Sequence, residues 1–287
     1  MSAQRLRPTS GPVAELTRKE VIQILAAVPR LKEGESGARL TGVDLSGLDL
    51  RGLNFTFADL RGANLTGASL SRAILVRAWL AGAQLTDVDA ACCDFAGADL
   101  TSAQLTQARL SDANLTEANL EAANCIGADM RGAQLHRARL PTADLRSADL
   151  TRADLSRARM AGAHLCHADL TAAVLQEAEL NEANLDEALC ERVVLRHAYL
   201  HRASLIESRL CFADLRGANL SDALLLRADL TEADCSRTIF RGANLNSARL
   251  DRANLSGATL RGAQLSGDAL KTAIVNQTVL PDGTLAP

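Results

Sequence analysis

A repeat of five residues runs through most of this 287-residue chain and constrains its fold more than any other feature. Residues 38–267 divide into 46 consecutive five-residue units without an insertion or a deletion. The central place holds Leu in 37 of the 46 units, and the place two residues earlier holds Ala in 38 of them. A phase kept over this length indicates one structural unit that is stacked many times.

Neither regular secondary structure accommodates a period of five. Successive centres on an α-helix would be rotated by about 140°, which would scatter the apolar residues around the axis. Along a plain β-strand they would alternate between opposite faces. The pattern is satisfied when each unit is a short extended side followed by a tight turn, with Gly and small residues supplying the turn conformations. The Asp or Asn before many centres can then hydrogen-bond nearby backbone.

The units ADL at 58–60 and ANL at 63–65, followed by small residues or Gly, resemble the repeats of the pentapeptide-repeat family. The resemblance implies an all-β fold, in which four units form a square coil and the coils stack as a right-handed quadrilateral β-helix. It implies about 11.5 coils over residues 38–267 and a rod on the order of 55 Å long at the usual strand spacing. The centres and the Ala places then point inward. The predicted core accordingly includes Leu60, Leu65, Leu100, Leu150 and Leu215.

The N-terminal end of the stack needs a cover, because an open sheet edge invites pairing between molecules. Thr17 and Glu20 have the spacing of a capping box, and Leu16 with Val21 that of a hydrophobic staple. These signals predict a helix over 18–28 that stops near Pro29. Its apolar stripe is predicted to lie on the first coil and consists of Val21, Ile22, Leu25 and Val28.

The repeat pattern and its ends divide the chain into four segments. We expect a disordered N-terminus (1–15), a capping helix and linker (16–37), an uninterrupted β-helix (38–267) and a C-terminal cap or tail (268–287). Family members that act on DNA gyrase often form a head-to-head dimer through their C-terminal coils. The resemblance therefore implies that a homodimer through the C-terminal end could form here as well.

One unit departs from the pattern in a way that predicts local looseness. Ala90 occupies a centre where Leu is usual, and the neighbouring run 91–93 is Ala-Cys-Cys. A smaller side chain at an inward place leaves space in a packed core. We expect an under-packed coil there, with a slight bend.

Composition excludes several classes of function. Aromatic residues make up only 2% of the chain and the formal net charge is −3, which argues against direct nucleic-acid binding. No apolar run approaches the roughly 20 residues of a membrane span, and the start lacks the apolar region of a secretory signal. Seven cysteines at scattered spacings favour a reducing compartment, so we expect a cytoplasmic protein.

A rod without loops offers no concave, partly dry site for catalysis. We therefore predict that the chain is not an enzyme, with no catalytic residues and no cofactor. The strongest metal candidate is the run AHLCH, which contains His164, Cys166 and His167. His, Cys and carboxylate groups from the neighbouring coils could bind zinc. A flat, exposed site argues against it, and surface polar residues are the favoured interpretation.

Apolar residues at outward places are exceptions to a mostly polar surface and are candidate contacts for a partner. The main group lies in one axial band and comprises Val174, Leu189, Val194, Tyr199, Ile206, Phe212, Leu224 and Leu226. A second group near the N-terminus comprises Phe57, Ile74, Val76 and Trp79. Tyr, Trp and Phe are common interface anchors.

The four sides of the rod are named here by the first unit on each: the Leu40 face (38–42), the Leu45 face (43–47), the Leu50 face (48–52) and the Phe55 face (53–57). Each continues at every twentieth residue. Their formal charges over residues 38–267 are about +1, −4, −1 and 0. This is weak for a mimic of DNA, which carries a continuous negative field.

The favoured interpretation is therefore a non-catalytic scaffold that binds an unidentified protein. The alternative is a DNA-mimicking protein that binds DNA gyrase and protects it from a topoisomerase poison. The resemblance supports the alternative. Many family members that act on DNA gyrase, however, carry loops that interrupt the coils, and this sequence has none. Its low charge also counts against the alternative.

Overall fold

The computed structural model describes residues 16–28, 37–266 and 268–287, and the N-terminus predicted to be disordered (1–15) lies outside them. The main body is a right-handed quadrilateral β-helix. From Arg39↔Asp59 to Asn244↔Gln264, each unit contributes one residue to a parallel bridge with the residue twenty positions later, and Asn254↔Ile274 and Thr259↔Val279 continue the ladder beyond Arg249. Four units therefore make one coil. Each side is so short that it forms a single isolated bridge rather than a longer strand.

The backbone hydrogen bonds explain why the coils stack. Leu60 N donates to Trp79 O on the next coil (2.7 Å), and Asp59 N donates to Ala38 O on the previous coil (2.8 Å). A third bond closes each corner, as from Ala63 N to Leu60 O (3.0 Å). Because backbone N–H and C=O groups pair between coils, each coil provides hydrogen-bond partners for the coils next to it, and these bonds hold the stack together.

The corners combine a left-handed residue with a side-chain hydrogen bond. The last place of each unit from Gly42 to Gly262 has positive φ, as at Gly62 (63°) and Arg157 (59°). The residue before many centres accepts a bond from the backbone two positions later, as when Thr66 N donates to Asn64 Oδ1 (3.1 Å). This bond confirms the role predicted for Asp and Asn. It stabilises a turn that many residues other than Gly then adopt.

The interior is a column of Leu and Ala. The predicted core residues Leu60, Leu65, Leu100, Leu150 and Leu215 are all fully buried. Three inward Ala places hold polar residues instead, and each is satisfied: Thr238 Oγ1 donates to Leu215 O (2.7 Å), Thr278 Oγ1 to Leu255 O (2.7 Å) and Ser208 Oγ to Leu205 O (2.8 Å). Hydrogen bonding to a backbone carbonyl offsets the cost of burying a hydroxyl.

The coil around Ala90 retains the ladder of its neighbours. Ala90 is fully buried and its N–H donates to Arg109 O (2.8 Å). Two nearby inward places hold larger side chains than usual, namely Val88 and Phe95, and both are fully buried. The bridges Ser69↔Asp89↔Arg109 are unbroken. The under-packing and the slight bend at this coil stay predictions.

The N-terminal end is covered by helix α1 (Arg18–Ala26). The predicted capping box is present, with the Thr17 side chain accepting from Glu20 N and the Glu20 side chain accepting from Thr17 N (2.8 Å). The helix ends two residues earlier than predicted. Val28 precedes Pro29, and a residue before proline is disfavoured in the helical region.

The stripe of α1 that packs on the first coil differs from the prediction at one position. Val21 is fully buried and Leu25 and Val28 are partly buried, but Ile22 is 42% exposed. Ile24 packs against the core instead. Residues 21, 24, 25 and 28 follow the spacing of one helix face, and a residue directly after Val21 turns about 100° away from it.

The C-terminal end continues the coil beyond the clear repeat. Asn254↔Ile274 extends the parallel ladder, and the chain then turns back so that Val279 pairs with Leu285 in antiparallel fashion. This short hairpin partly covers the last coil. No helix in the described residues is both long and apolar enough to cross a membrane.

Candidate interaction surfaces

The predicted interaction residues form a belt around the rod rather than one patch. The twenty-residue register places Val174 and Val194 on the Phe55 face, where they are directly bridged. Tyr199 lies on the Leu40 face and Leu189 on the Leu50 face. Phe212 lies at the corner between the Leu50 and Phe55 faces. A flat partner could contact only part of this group.

Three members of the belt do lie together on the Leu45 face. Ile206, Leu224 and Leu226 occupy two adjacent coils, joined by the bonds from Leu205 N to Leu224 O (2.7 Å) and from Glu207 N to Leu226 O (2.9 Å). Leu224 is 42% exposed and the other two are half-buried. These three side chains are called the Leu45-face patch below.

Acidic residues lie along the side of the Leu45-face patch nearer the N-terminus. Asp186 accepts hydrogen bonds from Ser204 Oγ (2.5 Å) and from Ile206 N (2.9 Å), which fixes it beside the patch. Glu207 pairs with Arg227, and Glu187 with His167 (3.5 Å). The patch is therefore an apolar island with a mixed but mainly acidic rim.

The other members of the belt have their own contacts. Arg192 stacks over the Phe212 ring at 5.2 Å from its centroid, and this cation–π contact covers one side of the ring. Val174 and Val194 are half-buried and stack on each other. Both arrangements reduce the apolar area that is open to a partner.

The second predicted group lies next to the N-terminal cap. Arg61 stacks over Trp79 at 5.4 Å. Phe57 borders a groove of about 550 Å³ between α1 and the first coils, which Ile22 and Leu53 also line. Ile74 is exposed on the same side of the rod as Phe57. The groove explains why Ile22 is apolar although it points away from the coil.

Three exposed apolar residues were not among the predicted contacts: Ile239, Ile274 and Leu285. Ile239 stands directly before a repeat centre, in the place that usually holds Asp or Asn, and the repeat register could have indicated its exposure. Ile274 and Leu285 lie outside the repeat of residues 38–267, so the register gave no indication of their exposure.

The candidate metal residues are not brought together. His164 is exposed, and His167 pairs with Glu187. Asp144, the nearest carboxylate on the previous coil, is held by Arg146 through Nε–Oδ1 (2.8 Å) and Nη2–Oδ2 (2.6 Å). Over the part of the chain that the structure describes, no group of three His, Cys, Asp or Glu side chains is arranged to hold a metal ion.

The cysteines are all free, and those in the interior are inert. Burial raises the pKa of Cys125 to about 12 and that of Cys190 to about 12. Burial, followed by the nearby Asp186, also raises the pKa of Cys166. A thiol with a raised pKa is a poor nucleophile and a poor metal ligand at neutral pH.

Ion pairs break up the charge along the rod. Asp129 and Asp144 each accept side-chain hydrogen bonds from the Arg two residues later, and these bonds are the main reason that their pKa values are lowered. The Leu45 face carries six acidic and two basic residues, and both basic residues, Arg146 and Arg227, pair with an acid on it. Its negative field is therefore discontinuous.

The described carboxyl groups whose pKa is shifted do not have the character of general acids. Each of them has a lowered pKa, as for Glu177 beside Arg157 and Asp44 beside Ser46. A general acid near neutral pH needs a raised pKa. These carboxylates act as acceptors that hold corners and ion pairs.

Comparison with known proteins gives one family and several solved structures. The model for pentapeptide repeats matches in eight copies that together cover residues 38–267. HetL, a pentapeptide repeat protein involved in heterocyst differentiation regulation in the cyanobacterium Nostoc sp. strain PCC 7120, is 31% identical over 95% of this chain and 100% of HetL, with a TM-score of 0.41.

Two further structures are similar over shorter stretches or at lower identity. A pentapeptide repeat protein of the Arabidopsis thaliana thylakoid lumen is 32% identical over 44% of this chain and 77% of its own, with a TM-score of 0.21. Full-length QnrB1, a plasmid-mediated fluoroquinolone resistance protein, is 17% identical over 81% and 93%, with a TM-score of 0.30. Among curated proteins, none matches.

Proposed function

Since the chain belongs to the pentapeptide-repeat family, we propose that it is a non-catalytic scaffold that binds another protein through the Leu45-face patch. The observation that carries this proposal is the placement of Ile206, Leu224 and Leu226 on two adjacent coils of one flat side. Leu224 is well exposed in a column that otherwise holds mainly Asn and Gln.

A rod with flat sides binds a partner through the groups that are exposed on its sides and ends. An apolar cluster surrounded by polar groups is the usual form of an interface centre, and its desolvation supplies most of the affinity. Asp186 and Glu187 would then act at the rim, where they favour a partner that carries basic residues beside its apolar contact. Backbone ladders hold the patch rigid, so little entropy is lost on binding.

Affinity capture with paired variants tests this proposal. Wild-type protein and an Ile206→Asp/Leu226→Asp variant are immobilised and exposed to extract from the native cell. The matched control is Val174→Asp/Val194→Asp, because this pair also stacks across adjacent coils but lies on the opposite face. We expect the first variant to lose the captured protein and the control to retain it. Equal capture by all three proteins would exclude the patch.

A second candidate function is binding to DNA gyrase with protection from a poison. Its support is the membership of the pentapeptide-repeat family, and the Leu45 face is the first surface to test because, although only mildly acidic at −4, it is the most acidic of the four. A supercoiling and poison-induced cleavage assay, titrated with the purified protein, separates the two. Protection at low micromolar protein would favour gyrase binding, whereas no effect at tens of micromolar favours the scaffold.

We further propose a reducing, cytoplasmic location and a homodimer through the C-terminal end. All seven cysteines are free, which supports the first. The half-buried inward residues Leu265 and Leu270, together with Leu285 at 66% exposure, support the second, because they leave apolar area open on the last coil. A Leu285→Asp variant that still dimerises through this end would contradict it.

A further inference from the structure

Three exposed apolar side chains lie in one straight column of the Leu40 face. Trp79 is 40% exposed, Tyr199 50% and Ile239 40%. The bridges Asp59↔Trp79, Glu179↔Tyr199 and Asn219↔Ile239 place all three at the same position of their coils. This column lies outside the Leu45-face patch, and the proposed scaffold does not use it.

Charge along the same column is sharply divided. Arg139 and Arg159 stand on adjacent coils, and Glu179 follows on the next coil, directly before Tyr199. At the neighbouring corner, Arg157 is followed in the same way by Glu177. The two basic coils of Arg139 and Arg159 are therefore followed by the acidic coil of Glu179 and then by the ring of Tyr199.

The basic rows are held in place by carboxylates on either side. Arg157 Nε bonds Glu177 Oε2 (2.9 Å), and Arg159 Nε lies 3.5 Å from Glu179 Oε1. These residues line a shallow depression of about 530 Å³. A guanidinium has five N–H donors, so donors remain for a second carboxylate.

The floor beside these rows is low. The next two places on the same coils hold small residues, including Ala161 and Gly162, with Pro141 and Thr142 on the coil before. The coils of Glu179 and Tyr199 hold longer side chains in these places, including Glu182 and Arg202. The low floor on the coils of Arg139 and Arg159 therefore has room for the longer side chains of a second rod that lies in reverse order.

The charge order of this face is complementary to that of the same face in a second copy of the chain, related by a two-fold axis. When two copies bring the Leu40 face together in antiparallel fashion, each column faces itself in reverse order. A two-fold axis that passes between the coil of Arg159 and the coil of Glu179 places Arg159 of one protomer opposite Glu179 of its partner. In the same register Arg157 faces Glu177.

The next row outward adds an aromatic contact. In this register Arg139 of one protomer faces Tyr199 of its partner, which is the arrangement of a cation–π pair. Going outward, Asn119 faces Asn219, and no row of the face opposes two side chains of the same formal charge. A shift by one coil would place Arg159 opposite Arg159, or Glu179 opposite Glu179, and like charges in contact are unfavourable.

We propose that the Leu40 face is the interface of an antiparallel homodimer of this chain, with its two-fold axis between the Arg157/Arg159 row and the Glu177/Glu179 row. The register follows from the charge sequence, and the exposed Tyr199 is covered in it. The interface is separate from both the Leu45-face patch and the C-terminal end.

Sedimentation equilibrium of the full chain tests the proposal. The Leu285→Asp protein, which lacks the proposed C-terminal contact, is expected at twice its mass of 30.4 kDa at low salt, with a dissociation constant that rises at least about tenfold at 1 M salt, because salt screens exposed ion pairs. A protein that is monomeric at several hundred micromolar and low salt would overturn the proposal.

Charge reversal then identifies the face. Both charge variants are made in the Leu285→Asp protein, so that the C-terminal contact is absent. The acidic variant, Arg157→Glu/Arg159→Glu, and the basic variant, Glu177→Arg/Glu179→Arg, each repel themselves across the axis and are expected to be monomeric. Mixed one to one, they oppose Glu to Arg in all four central pairs and should form a heterodimer. That recovery also shows that both variants are folded. A mixture that stays monomeric would overturn the proposal.

Two controls separate this interface from others. Arg252→Glu breaks a comparable pair, Arg252 Nη1 to Glu232 Oε1 (3.1 Å), on a corner outside the Leu40 face, and should leave the dimer unchanged. Leu285→Asp removes apolar area at the C-terminal end and should also leave it unchanged. Loss of the dimer in either control, with retention in the acidic variant, would place the interface elsewhere.

Discussion

The middle of the rod and its two ends contain the same inward residues but in different surroundings. Leu150 is covered by coils on both sides and is fully buried. Leu270 belongs to the last coil, has a neighbouring coil on one side only, and is half-buried. The comparison teaches that the repeat supplies burial only where a neighbour exists. Each end therefore needs a different element, α1 at one and the Val279–Leu285 hairpin at the other.

The largest difference between the regions should appear on truncating a centre. We expect Leu150→Ala to lower the free energy of unfolding by about 3 kcal/mol, because it leaves a cavity between two intact coils. The same change at Leu270 should cost about 1 kcal/mol, because that site is partly open and can relax. Urea denaturation followed by circular dichroism measures both. Equal losses would show that the ends are packed as tightly as the middle.

Acid should weaken the middle of the rod as well as its ends. Arg131 and Arg146 lower the pKa values of Asp129 and Asp144 in the folded chain. A carboxyl with a lowered folded pKa stabilises the fold above its unfolded value, near pH 4, and this contribution is lost as pH falls through the folded value. We expect the melting temperature to be flat above pH 5 and to fall below pH 4.

Removal of one such carboxyl provides the control for the acid prediction. Asp144→Asn should reduce the slope of melting temperature against pH below pH 4, because one proton fewer is bound on unfolding. A slope unchanged in this variant would mean that other groups govern the acid response.

The N-terminal end should depend on the cap of α1. Thr17→Ala removes the side-chain acceptor for Glu20 N and should cost about 1 kcal/mol of stability. Because α1 covers the first coil, we also expect Thr17→Ala to accelerate amide exchange at Leu45 more than at Leu150. Hydrogen exchange measured by mass spectrometry reports both regions at once. Equal acceleration at the two sites would contradict a local role for the cap.

The smallest effect is expected for surface ion pairs along the coils. Glu232→Gln breaks the pair with Arg252 on an exposed corner outside the Leu40 face. Such pairs contribute at most about 0.5 kcal/mol to stability. A thermal melt should therefore coincide with that of the wild type to within about two degrees. A large shift would mean that the corner ladder, and not the interior, stabilises the coils.

The sequence predicted the interior of the rod well, and the reason is physical. A period that keeps its phase allows one solution for the inward pair, so the burial of Leu60 and Leu215 followed directly. The capping box at Thr17 and Glu20 was equally local and is present. The exposure of Ile22 was not predicted, because the predicted stripe contained Ile22 where Ile24 packs against the core.

The surface was less predictable, because outward places are not fixed by packing. The axial band from Val174 to Leu226 came from position along the chain, whereas grouping depends on the side of the coil. Only the register of twenty residues separates Tyr199 from Leu224 by a corner. The exposure of Ile239 could have been read from the same register. The pairing of His167 with Glu187 and of Asp144 with Arg146 depends on side-chain geometry and could not be predicted from the register.

The account's central claim is that a partner binds the Leu45-face patch, and side-chain oxidation by hydroxyl radicals tests it most directly. The protein is oxidised alone and with its captured partner, and modification is compared at Leu224 and Phe212, which are similarly exposed on different sides. We predict that the partner lowers oxidation of Leu224 several-fold and leaves Phe212 unchanged. Protection of Phe212 with Leu224 unchanged would contradict the account.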